Sequence, residues 1–165
     1  MMDTSWFPDL LTTIERSGFG EWVRLTPHLY PILMSLHVVG IALLVGPAIA
    51  VDLRLLGVAR NVVPVTVVTR YLLPISHVGF AVVALTGLTM FSGVALTVGM
   101  SAAAPWKLGL IILAGLNIAA FHGGIYRTVR QWDLATPTPI RAKIASVLSA
   151  STWTGVVFAG RFLAY

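Results

Sequence analysis

The sequence predicts an all-α integral membrane protein: a four-helix bundle preceded by a short N-terminal interfacial helix. Three observations carry this expectation. Of 165 residues, 57% are hydrophobic and only 10% are charged, with a mean hydropathy of +0.88, too apolar for an ordinary water-facing surface. The apolar residues gather into four long runs, each able to cross a hydrocarbon core about 30 Å thick at about 1.5 Å rise per residue. The charges fall between those runs and beside their ends.

Residues 5–18 form the interfacial segment. Trp6, Phe7, Leu10, Leu11 and Ile14 recur at helical spacing, with Asp9, Glu15 and Arg16 on other faces, and Gly18 and Gly20 end the pattern. Such a helix lies in the headgroup layer; the plainer reading is a loosely ordered tail, since so short a segment is marginal alone. Asp3 stands where a secretory signal carries basic residues, so insertion is expected to depend on the first spanning helix. That helix covers about 28–56, apolar from Leu29 to Val51 except for His37, and closes on Asp52 and Arg54. The second, about 71–97, follows Arg70 and leads into an uncharged loop, Thr97 to Pro105. The third, about 106–128, runs from Trp106 past Tyr126, and the fourth, about 143–163, runs from Lys143 past Arg161. Residues 1–165 read as a single membrane domain with no room for a second, soluble one.

Arg54, Arg60 and Arg70 flank the first loop and Arg127, Arg130, Arg141 and Lys143 the third, whereas acidic residues offset the basic ones near the N-terminus. Cytoplasmic loops retain positive charge, so both termini are expected in the periplasm of a bacterial inner membrane. Cysteine is absent, which excludes disulfides, thiolate metal sites and cysteine nucleophiles. The net charge of +5 does not point to nucleic acid, because the basic residues sit beside apolar runs and not in a patch interleaved with aromatics.

Depth then singles out two histidines. His77 lies seven residues past Arg70 and His122 five before Arg127, each about 8 to 10 Å inside the cytoplasmic boundary. Ala81 and Ala84 share a stripe with His77, and Gly115 and Ala119 share one with His122. The space beside small residues suits a haem b held by two axial imidazoles; it equally suits close helix packing, with both imidazoles hydrogen-bonded inside the bundle. No spacing diagnostic of zinc or of covalent haem attachment occurs. His37, about 25 Å from Arg54, belongs to the outer half. With Met34 and Met90 it offers soft ligands for copper or a mixed second haem; the alternative is a buried, hydrogen-bonded imidazole beside core methionines. Asp52, Asn117 and Arg161 are structural polar residues: Asn117 should bond to another helix, Asp52 should meet Arg127 or Arg141, and Arg161 should snorkel outward and pair with Glu21. The fourth helix is unusually polar, with Ser149, Ser151, Thr152 and Thr154.

Several segments resemble one family's pattern over almost the full chain. They are Tyr30-Pro31 leading to His37-Val38-Val39-Gly40, Asp52-Leu53-Arg54-Leu55-Leu56-Gly57, Thr86-Gly87, Asn117, Phe121-His122, and Gly160-Arg161 through Ala164-Tyr165. The family comprises small uncharacterised four-helix bacterial integral membrane proteins. The resemblance implies the four-helix topology and directs attention to His37, Asp52, Asn117, His122 and Arg161, but brings no activity with it. In that pattern Glu often stands at the position of Met34 and a histidine at position 77 is not general, so the resemblance favours His122 over His77. Similarity to membrane b-type cytochromes is architectural only.

The function expected from these residues is a haem b-associated electron-transfer component, or an accessory subunit of a membrane oxidoreductase, working with quinone or a redox partner subunit as a homo- or hetero-oligomer. The alternatives are a non-enzymatic metal or small-solute transport or assembly component, and a purely structural membrane subunit.

Overall fold

The computed structural model describes residues 6–163. Two short helices, α1 (Trp6–Glu15) and α2 (Gly18–Leu25), precede two long ones, α3 (Leu29–Leu56) and α4 (Val65–Gly93). A short α5 (Ala95–Gly99), then α6 (Ala103–Gly123), a 3₁₀ helix (Ile125–Gln131) and α7 (Ile140–Phe162) follow, with no strand among the described residues. Helices α3, α4, α6 and α7 are long and apolar enough to cross a membrane, so the protein is an all-α, multi-pass membrane four-helix bundle. At 28 and 29 residues, α3 and α4 exceed the roughly 20 that a bilayer requires and must tilt or project beyond the hydrocarbon. Val78, Leu85, Ile112 and Leu116 stay exposed on the outer faces, as lipid contact demands.

Laterally the order is α4, α3, α7, α6. Helix α3 packs along α4 on one flank and α7 on the other, α6 packs on α7, and α4 and α6 scarcely touch. The α3–α4 seam is a small-residue contact: a Cβ added at Gly79 would collide with the backbone of Leu43 and Leu44, and one at Gly40 would meet Val82 and Val83. Backbones that approach this closely gain dispersion contact, which replaces the hydrophobic drive that lipid cannot supply. Ser76 reinforces the seam by donating from Oγ to the Leu44 carbonyl at 3.1 Å. Across α6 and α7, Asn117 donates from Nδ2 to the Ala145 carbonyl at 2.9 Å, the interhelical bond expected of it.

A polar knot closes the end that holds Arg54. Buried to 3% exposure, its guanidinium donates from Nε to the Val63 carbonyl and from Nη2 to the carbonyls of Asp133 (2.8 Å) and Arg60 (3.4 Å). The Asp133 carboxylate in turn accepts from the Thr66 backbone N–H (2.8 Å) and hydroxyl (2.7 Å). It caps α4 from 67 residues away in sequence, because Pro64 at the N-cap offers no side-chain acceptor. That cap explains why α4 begins at Val65 and not at the expected 71. At its other end α4 stops at Gly93, short of the expected 97, with α5 as a separate turn. The expected third helix likewise divides at Gly123 into α6 and the 3₁₀ segment, while α7 starts earlier than expected, directly after Pro139.

The opposite end carries the N-terminal pair. The single interfacial helix expected over 5–18 is two helices, divided where Ser17 caps α2 by accepting from the Gly20 N–H at 3.1 Å; position 5 lies outside the described residues. Glu15 anchors the pair by accepting from the Leu96 N–H at 2.8 Å and facing Arg24 at 3.5 Å. Trp6, Phe19 and Trp22 remain exposed.

Candidate functional site

Because α4 and α6 scarcely touch, the row of four helices leaves a cleft between them. Its cavity of about 310 Å³ is bounded by α3, α4, α6 and α7 and includes both His77 and His122 in its lining. The fold thus brings two histidines far apart in sequence, one on α4 and one on α6, into one cavity. The walls are apolar, with Leu44, Phe80, Ile111, Phe121 and Trp153. Besides the histidines, the polar groups come from Asp52 on α3, Ser76 on α4, Asn117 on α6 and Ser146 and Ser149 on α7.

The two histidines differ in how they are held. His77 follows Ser76, the residue that bonds α3, and is itself exposed. His122 is half-buried, with its ring edge-on to Phe121 at 5.2 Å and 87°, and 5.0 Å from Tyr126. Its Nδ1 lies 3.0 Å from the Ile118 carbonyl. A carbonyl only accepts, so Nδ1 carries the proton and a neutral ring leaves the Nε2 lone pair for a ligand. Tyr126, in the 3₁₀ segment, ties that segment to α4. Since Thr69 Oγ1 already reaches the Val65 carbonyl at 3.0 Å, the tyrosine hydroxyl donates to Thr69 at 2.7 Å.

Asp52 does not pair with Arg127 or Arg141 as expected. Both arginines are exposed, whereas Asp52 is 5% exposed and turns inward, with Ser149 as its hydrogen-bonding side chain. Among the described residues its Oδ2 has no hydrogen-bond partner, although a buried carboxyl oxygen without one is costly. Among the described residues, no lysine or arginine lines the cavity.

His37 belongs elsewhere. Its Nδ1 lies 2.8 Å from Thr86 Oγ1, which itself donates to the Val82 carbonyl at 2.6 Å, and its ring faces Gly87. It is therefore a buried imidazole satisfied across the α3–α4 seam. Met90 is buried but Met34 is exposed, and among the described residues no group of three or more His, Asp or Glu side chains could hold a metal ion. Arg161 lies in the last turn of α7, two turns beyond Trp153.

The donor chemistry of the cleft fits haem b: one imidazole with its Nε2 set free, a second on the facing helix, and aromatic and aliphatic walls. Sequence reasoning missed Ser149 as the partner of Asp52 and Tyr126 as the partner of Thr69. The first depends on the rotation of α7 about its axis, for which the only sequence signal was that helix's unusual polarity, and the second on the break at Gly124 that ends α6 and starts the 3₁₀ segment. No family model, curated protein or solved structure matches the chain.

Proposed function

We propose that the protein is an electron-transfer component, or an accessory subunit of a membrane oxidoreductase, with the α4–α6 cleft as its haem b site, where His77 and His122 would hold the group. The observation that carries this reading is the shared cavity: two imidazoles from different spanning helices line one apolar space. Haem supplies one-electron chemistry when bound. The chain's own contribution is positional and electrostatic. Ile118 fixes the tautomer and tilt of His122 through Nδ1, a bond that raises the basicity of Nε2. Phe121 and Tyr126 pack against the same ring and hold it in place. A membrane quinone or a redox subunit is the electron partner, and the exposed apolar faces of α4 and α6 are available to lipid or to a further chain, in a homo- or hetero-oligomer.

The same reading sets the chain in a bacterial inner membrane with both termini in the periplasm, supported by the arginines and lysine around the α3–α4 and α6–α7 connections. The test is a reduced-minus-oxidised absorption spectrum of protein purified in detergent from haem-replete cells. A Soret band with a b-type α-band is expected, and its absence would overturn the cofactor assignment.

A further inference from the structure

The unpartnered oxygen of Asp52 points to a second use of the cleft, independent of haem. We propose that the polar side of the cavity is a head-group subsite for a neutral phenolic or quinol-type molecule dissolved in the bilayer, whose hydroxyl donates to Asp52 Oδ2. Asp52 is 5% exposed, lines the cavity and, among the described residues, has no hydrogen-bond partner for that oxygen, so a hydroxyl entering the cavity would supply one. Ser149 fixes the carboxyl from the α7 side. Phe80, Phe121 and Trp153 supply flat apolar walls for a ring, and a cavity of about 310 Å³ suits a small molecule.

A hydroxyl fits better than an ammonium as the missing donor. The ligand passes through hydrocarbon between α4 and α6, where a cation is far more costly than a neutral hydroxyl. Asp52 also needs no change of charge to accept from it, since an ionised carboxylate is an acceptor and a protonated one keeps acceptor capacity. This subsite and the proposed haem site share one cavity, so binding is measured on haem-free protein.

The test uses the full chain in lipid nanodiscs, made in haem-deficient cells, titrated calorimetrically with pentylphenol and with its methyl ether. The phenol is expected to bind about tenfold more tightly than the ether, which lacks the donor. Asp52→Leu should erase that difference. Gly115→Phe, at a lining position with open space around its Cα, should block both compounds and serves if Asp52→Leu does not fold. Competition by a long-chain quinol dissolved in the nanodisc lipid, as against a water-soluble phenol, identifies which source the site prefers. Equal affinity for phenol and ether, or no binding of either, would overturn the proposal while leaving the haem reading untouched. Phenol binding by a chain that shows no Soret band when haem is supplied would support the subsite and remove the haem.

Discussion

Arg54 and Asp133 show what single residues do at the closed end. In the sequence Arg54 reads as a topogenic charge at a helix end; in the fold its buried guanidinium gathers the carbonyls of Arg60, Val63 and Asp133. Asp133→Ala removes the remote cap of α4 and should cost about 1 to 2 kcal/mol of stability, read as a lowered melting temperature in detergent. Asp133→Asn, which keeps one acceptor oxygen, should lose less. Replacement of His37 by Ala should cost about 1 kcal/mol through loss of the Thr86 bond and leave any haem spectrum unchanged. The identity of such partners could not be read from the chain. Sequence locates Arg54 at a helix end, but three carbonyls converging on it is a product of two loops folded together.

At the scale of elements, the α3–α4 seam dictates the architecture. Gly79 sits where the α3 backbone leaves no room for a side chain, whereas Gly46 on the same helix pair has nothing within 4 Å of an added Cβ. Gly79→Leu should therefore prevent recovery of monodisperse protein, and Gly46→Leu should be tolerated, as size-exclusion profiles in detergent would show. A matched outcome for the two variants would mean that the seam is not what holds α3 to α4. The long apolar runs made all four spanning helices legible, because hydropathy is a local property summed over about 20 residues. Their ends were less legible. Val65 starts α4 through the distant Asp133, and Ser17 divides the N-terminal segment by a cap that the apolar periodicity of Trp6, Leu10 and Ile14 passes over.

For the whole molecule, the meeting of His77 and His122 was only partly legible, because the charges used to count along the helices do not mark their ends: Arg70 lies inside α4, which begins at Val65, and Arg127 lies beyond the end of α6 at Gly123. Their shared cavity adds the rotational information that counting cannot supply. That Asp52 faces Ser149 and not an arginine follows from how α3 and α7 pack, which is non-local. The orientation proposed from the loop charges predicts a cytoplasmic signal from a reporter fused after Arg60 and a periplasmic one from a reporter fused after Tyr165; reversed signals would invert the sides but keep the two histidines in one cavity. The most direct measurement of the central claim is the reduced-minus-oxidised spectrum across His37→Ala, His77→Ala and His122→Ala, each purified with ample haem. The account predicts a wild-type b-type band that survives in His37→Ala and is lost or strongly shifted in the other two. A band unchanged in both His77→Ala and His122→Ala, or no band in the wild type, would contradict it.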